Sequence, residues 1–364
     1  MDIIELVKTL VSIPSQIGNT SEIEGYVASQ LENINGSTVE LQSVPGHGNN
    51  VIATSIKNEN LPTILINGHL DTVEICSGWT RDPFEPAIEG DKLYGLGSAD
   101  MQSGVAVGMN TFERLAKLDN VNVIFAGTVD EEGDSTGAFT LLDSGIEADL
   151  CLIPEPSSGT IMMGCRGRTV FQIDVNGTSA HGARPEEGVN AISEASKFIG
   201  KLGELPLLNH SALPRGSYCV LEISGGTRTL SVPDTCRVKL DRHYVIGESK
   251  DDILKQLEEM ASGFGSHASF EIGFSPERQT PFLEPYITEK EGLAKEFLGL
   301  VGGKITYGKS VGDYNAFSKR MPTVVYGPHG ENWHGADEWV SLSSVQKVWK
   351  NYENFADYLA GKDF

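Results

Sequence analysis

Four times along this chain a short apolar run stops at a cluster of histidines and carboxylates. Residues 63–67 run into Gly68-His69-Leu70-Asp71, 122–127 into Thr128-Val129-Asp130-Glu131-Glu132, and 149–153 into Pro154-Glu155-Pro156. The fourth run, 323–327, leads into Pro328-His329-Gly330-Glu331-Asn332-Trp333-His334. Short apolar runs of this kind fit strands covered on both faces, and helical patterns at 104–118 and 137–142 lie between the first three. Alternation of strand and helix predicts an α/β fold, a mostly parallel sheet with helices on both faces. Ligands of such sheets bind outside the carboxyl ends of the strands. All four clusters fall there, so His69, Glu131, Glu132, Glu155 and His334 can converge although they are far apart in sequence.

The middle of the chain is patterned differently. Between 167 and 279 the order reads strand, helix (190–202), strand, strand, helix (251–264), strand, as in a small ferredoxin-like α+β unit. This stretch holds 12 basic and 15 acidic residues, a net of −3, whereas the remainder holds 16 and 35, a net of −19. The sheet pattern resumes afterwards. The expected organisation is therefore a discontinuous domain, 1–166 and 280–364, with 167–279 inserted. At the start, Ile3, Ile4, Leu6, Val7, Leu10 and Val11 have helical spacing, and Ser21 with Glu24 reads as a capping box opening a second helix.

A formal charge of −22 argues against nucleic acid as a partner and against anionic lipid. No run approaches the ~20 apolar residues of a membrane span. The five cysteines are scattered with no C-x-x-C pair. Asp2, Glu5 and Lys8 interrupt the apolar residues of the first segment, unlike a secretory signal. The expected setting is the cytoplasm.

The clusters supply two imidazoles and several carboxylates, a donor set suited to zinc and also to cobalt or manganese. His69-x-Asp71 has the spacing by which a carboxylate can orient a metal-binding imidazole. Asp100, just ahead of a helix, reads by itself as readily as an N-cap. The adjacent acids of Asp130-Glu131-Glu132 repel one another, and at a buried strand end a divalent cation would supply the countercharge. Five protein ligands are one too many for a tetrahedral site but fit two metals sharing a carboxylate.

Six segments carry a resemblance that extends over essentially the whole chain: GHLDTV (68–73), WTRDPFEPAIEGDKLYGLGSADM (79–101), TVDEEGDSTG (128–137), PEPSS (154–158), GTSAHGARPEEGVNAI (177–192) and ENWHGADEWV (331–340). In these the chain resembles the co-catalytic metallopeptidase family of acetylornithine deacetylase, succinyl-diaminopimelate desuccinylase, aminoacylase and glutamate carboxypeptidase. The resemblance implies that His69 and Glu155 bind one metal, Glu132 and His334 the second, and that Asp100 bridges the two. It implies that Asp71 supports His69 and that Glu131 is the general base. His181 resembles a histidine that reaches the partner subunit's site and steadies the oxyanion, and the insert resembles a lid and dimerisation domain.

The implied reaction is hydrolysis of the amide of an N-acyl amino acid by a metal-bridged water that Glu131 deprotonates. Two divalent ions are expected, zinc first, with cobalt or manganese possible. A homodimer acting on a small N-acyl amino acid or short peptide is expected. Arg166 and Arg242 are candidate clamps for a substrate carboxylate, and Gly312 and Asp313 candidates for the same pocket. Two other readings remain open, a dipeptidase or carboxypeptidase with the same metals, and a non-catalytic metal-binding protein. The chain departs from the family's pattern at Leu96, Gln102 and Leu230, where Arg, Lys and Asn are common.

Overall fold

The computed structural model describes residues 2–276 and 282–364. The chain forms two compact units, Met1–Gly164 with Ile287–Thr306 and Gly312–Phe364, and Cys165–Tyr286 with Tyr307–Val311. The expected insert end, between 279 and 280, lies outside the described residues. The short return of Tyr307–Val311 to the second unit has no counterpart in the sequence reading.

In the first unit four strands form a parallel centre. Asn122–Thr128 pairs with Thr63–His69, then comes Leu150–Ile153, then Thr323–Val325. Antiparallel strands flank it, Thr38–Val44 and Gly48–Ser55 on one side and Ile161–Cys165 on the other. Every residue of Asn122–Thr128 and of Leu150–Ile153 is buried, as strands covered on both faces must be. The covering helices are Ile3–Val11, Ser103–Leu115 and Leu342–Ala360, which bury Leu6, Leu10, Val105, Phe112, Tyr352 and Phe355. In register, His69 stands beside Thr128, so two of the acid and histidine clusters begin at the same level of the sheet.

The second helix, Ser21–Glu32, corrects one expectation. Thr20, not Ser21, is its N-cap, and no side-chain capping bond forms. Glu24 is 3% exposed and instead accepts from Thr20 Oγ1 at 2.5 Å and from the backbone and side chain of Asn49. The residue types of a capping box are present, but a tertiary partner claims the glutamate.

The second unit has the expected strand and helix order. Gly167–Asn176, Ser217–Gly225, Thr235–Tyr244 and Ser269–Phe274 form an antiparallel sheet, in which Gly167–Asn176 and Thr235–Tyr244 are central. Helices Ala191–Lys201 and Lys250–Ser262 cover it, and Phe171, Ile173, Phe198, Val238, Leu240 and Leu257 fill the core between. Among the described residues no helix is long and apolar enough to cross a membrane.

Candidate metal centre

His69 ends its strand 1% exposed. Its Nδ1 lies 2.8 Å from the backbone carbonyl of Asp71. A carbonyl only accepts, so Nδ1 carries a proton, and Nε2 is the atom left to face the carboxylates or a metal. The Asp71 carboxylate has a different task. It is fully buried, 3.9 Å from His69 Nδ1, and it accepts the N–H of Glu131 at 3.3 Å and of Glu132 at 3.1 Å. Asp71 therefore fixes the imidazole through its backbone and the two glutamates through its side chain. Of the three adjacent acids, Asp130 turns away. It has φ +66° and pairs with His47 Nδ1 at 3.0 Å. Glu131 and Glu132 are left facing the histidines.

Asp100 lies between the two imidazoles. Its Oδ1 is 3.2 Å from His69 Nε2 and its Oδ2 is 3.5 Å from His334 Nε2. Each histidine has a second carboxylate of its own, Glu155 at 3.4 Å from His69 and Glu132 at 3.0 Å from His334. Glu131 Oε2 stands 4.0 Å from His69 Nε2. Two donor groups, His69 with Glu131 and Glu155, and His69 with Asp100 and Glu132, place their ligand atoms within 4.8 Å of one another. His334 is held from a loop and is half exposed on its side chain, whereas His69 is enclosed.

This concentration of acid has electrostatic consequences. Burial pushes Glu131 and Glu155 well above the usual carboxylate range, and burial takes Asp71 to about 7. Asp100 would be raised by burial too, but hydrogen bonds from His334 and His69 hold it below its ordinary value. Hydrogen bonds to Asp100 and Glu132 lift His334 to about 10. Burial opposes protonation of His69, yet Glu155, Asp100, Glu131 and Asp71 together raise it. Protons thus do the work of countercharge, a substitute that divalent cations could replace. Glu132 Oε1 is buried without a hydrogen-bond partner, an acceptor left over by the protein's own donors. The donor set and this orphaned oxygen fit divalent metal ions.

The other sequence candidates fall elsewhere. His181 belongs to the second unit, exposed, with Nδ1 accepting the Ala183 N–H at 3.0 Å and its backbone bridged to Ser231. Arg166 donates to the carbonyls of Lys309 and Arg215 and to Ser217 Oγ. Arg242 is fully buried, ion-paired to Glu248 and bonded to the His243 carbonyl. Its strand explains this, because Cys236, Val238, Leu240, Arg242 and Tyr244 alternate onto the covered face. The guanidinium is enclosed, with both NH groups taken by protein acceptors and Nε buried without one.

Gly312 lies against the general-base candidate. A Cβ at 312 would come 2.5 Å from Glu131 Oε1, so only glycine permits that approach. Asp313 is buried and accepts from Thr128 Oγ1 at 2.8 Å, and burial raises it to about 6. Gln102, where a lysine is common in the resemblance, is 1% exposed and donates to the Leu70 carbonyl at 2.9 Å. Sequence reasoning missed Glu338, which is 1% exposed and bonded to the backbone around Asp100. An acid four residues beyond His334 and directly before the apolar Trp339-Val340 was the available signal.

Peptidase family M20/M25/M40 matches residues 65–358. Protein YgeY of Escherichia coli K12 is 28% identical over 70% of this chain, which spans 64% of that protein's length. Acetylornithine deacetylase of Edwardsiella ictaluri is 27% identical over 94% of both chains. Succinyl-diaminopimelate desuccinylase of Rhizorhabdus wittichii is 28% identical over 97% of both. Among solved structures, a tripeptidase of Staphylococcus aureus superposes with a TM-score of 0.80 at 21% identity, covering 99% of this chain and 98% of that one. Human carnosine dipeptidase 1 gives 0.74 at 17% identity, covering 99% and 96%. Both structures share the fold.

Proposed function

This chain belongs to peptidase family M20/M25/M40, and on that premise we propose that it is a two-metal amidohydrolase that cleaves an N-acyl amino acid. The observation that carries the proposal is the position of Asp100, one carboxylate oxygen toward each of two imidazoles at 3.2 and 3.5 Å. In this reading His69 and Glu155 hold one ion, His334 and Glu132 the other, and Asp100 both. Bound divalent ions supply a lowered pKa for water and polarisation of the scissile carbonyl. Zinc is the first candidate, with cobalt and manganese as alternatives.

The chain's own groups supply the rest. Glu131 takes the proton of the attacking water and returns it to the departing amine. Gly312 leaves its carboxylate room to approach. Asp71 keeps the Glu131-Glu132 backbone and the His69 ring in register. His181 of a second copy donates to the oxygen of the tetrahedral species, in a homodimer built through the second unit.

The long alignments to a deacetylase and a desuccinylase support an N-acyl amino acid over a peptide. The test is a panel of N-acetyl and N-succinyl amino acids and dipeptides, each with zinc, cobalt and manganese. Turnover of the acyl amino acids is the expected result. Turnover of the dipeptides alone moves the assignment to a peptidase. Silence across the panel in metal-replete protein leaves a metal-binding protein without activity.

A further inference from the structure

Glu338 is a buried acid with no part in the proposed reaction. It is 1% exposed, yet among the described residues no Lys, Arg or His forms an ion pair with its carboxylate. The neighbours of that carboxylate are backbone N–H groups. Oε2 accepts from Gly97 at 2.7 Å, and Oε1 accepts from Ala99 and from Asp100 itself, both at 2.9 Å. Its backbone carbonyl takes a fourth donor, the Gly95 N–H, at 3.0 Å. The turn that presents Asp100 is thus wrapped around one glutamate.

The turn's own bonds, Ser98 N–H to the Gly95 carbonyl at 3.1 Å and Gln102 N–H to the Gly97 carbonyl at 2.8 Å, leave the N–H groups of Ala99 and Asp100 to Glu338. Gly97 has φ +76°, and a Cβ there would meet Thr72 Cγ2 at 2.6 Å. Asp100 and Met101 depart from helical geometry before the helix Ser103–Leu115 begins. Glu338 is itself anchored on both sides. Downstream, Trp339–Ser341 pairs antiparallel with Lys92–Tyr94, in register Trp339 to Tyr94. Upstream, Asp337 accepts from Thr80 N at 3.0 Å and from Thr80 Oγ1 at 2.8 Å. His334 lies four residues before Glu338.

We propose that Glu338 is a positioning residue for the shared metal ligand: its carboxylate gathers the N–H groups of Gly97, Ala99 and Asp100 and so sets where the Asp100 carboxylate stands between His69 and His334. The inference rests on the two-metal reading. One short segment then supplies a ligand, His334, and aims another, Asp100. The chemistry requires a carboxylate. An amide at 338 has one accepting oxygen, and its NH2 would face a backbone N–H across 2.7–2.9 Å, donor against donor. Displacing Asp100 alters both metal positions at once, because Asp100 reaches both imidazoles.

The test is calorimetric titration of zinc and cobalt into metal-free protein, with thermal melting of the same samples. Wild type, Glu338→Gln, Glu338→Asp and Asn122→Ala are compared. Asn122 begins the strand Asn122–Thr128 at the end away from the site, accepts the Lys57 N–H at 2.8 Å and donates to the Asn58 carbonyl at 2.8 Å, so its loss costs stability without touching the Asp100 turn. Glu338→Gln is expected to weaken metal binding about 10–100-fold, the usual cost of losing an outer-shell partner. Glu338→Asp keeps both acceptors but draws them back by a methylene, and should fall between; it carries the test if the Gln variant does not fold. Asn122→Ala should lower the melting point with metal affinity unchanged. Metal affinity within twofold of wild type in both Glu338 variants overturns the proposal. So does an equal loss of affinity in Asn122→Ala at an equal loss of melting temperature. Wild-type protein that takes up no metal overturns the two-metal reading itself.

Discussion

His69 and His334 of the first unit shift in the opposite direction to His243 of the second. In the first, His334 is lifted to about 10 by hydrogen bonds to Asp100 and Glu132, and His69 is raised by the acids around it against the pull of burial. In the second, burial and the charges of Arg166, Arg168 and Arg242 push His243 down to about 4. Both regions concentrate like charge at the end of a sheet. They differ in how it is answered. Arg242 has Glu248 and the His243 carbonyl, with only its Nε buried unpartnered, and Arg166 has the carbonyls of Lys309 and Arg215, so the basic cluster carries its own counter-acid. The acidic cluster leaves Glu132 Oε1 without a donor and keeps Glu131 and Glu155 raised by burial. A like-charge cluster with a full countercharge on its own chain is architecture, and one answered only by histidines is a place for a ligand.

Three perturbations sharpen or break this contrast. The largest concerns Glu131. Glu131→Gln in metal-loaded protein should cost about a thousandfold in kcat with metal content retained, the middle of the usual range for a general base. Near-normal turnover of the substrate would remove Glu131 from the mechanism.

Next, Glu248→Ala strands the Arg242 guanidinium in the core of the second unit. A buried ion pair broken on one side costs about 3–5 kcal/mol, read from denaturant unfolding. Metal uptake by the first unit should be unaffected. A neutral result would mean that water reaches Arg242, contrary to its full burial.

The smallest is acid sensitivity. His243 titrates near 4 in the folded chain and near 6.5 unfolded, so the unfolded state binds more protons between those values. Its contribution to stability is whole above pH 6.5 and is lost as the pH falls toward 4. The loss is on the order of 2–3 kcal/mol, allowing for the partial exposure of the ring. His334 has the opposite sign in metal-free protein, stabilising below pH 6.5 and losing that contribution as the pH rises through about 10. His243→Gln should flatten the acid limb of the stability curve. An unchanged slope between pH 6.5 and 4 would place the acid response elsewhere.

Much of this was legible in advance, because periodicity and strand ends are local properties. Helices expected at 104–118, 190–202 and 251–264 are observed at Ser103–Leu115, Ala191–Lys201 and Lys250–Ser262. The clusters at His69, Glu131-Glu132, Glu155 and His334 lie together because the strands before the first three are neighbours in the sheet. The burial of Arg242 was legible too, because the alternation Cys236, Val238, Leu240 already put it on the covered face. Glu24 shows an unavoidable miss, since its partner Asn49 lies 25 positions away and outside any capping pattern.

The sequence by itself determined which residues are chemically able to form the site and that strand ends would bring them forward, since apolar runs and their terminating acids are written in order along the chain. Only the tertiary structure decided what each acid does. Asp130 and Glu131 are adjacent, yet one pairs with His47 and the other faces His69. Asp71 holds a backbone more than a ring, and Glu338 gathers the turn that carries Asp100. A carboxylate's role is set by the donors within about 3 Å of it, and those donors come from strands and loops far removed along the chain.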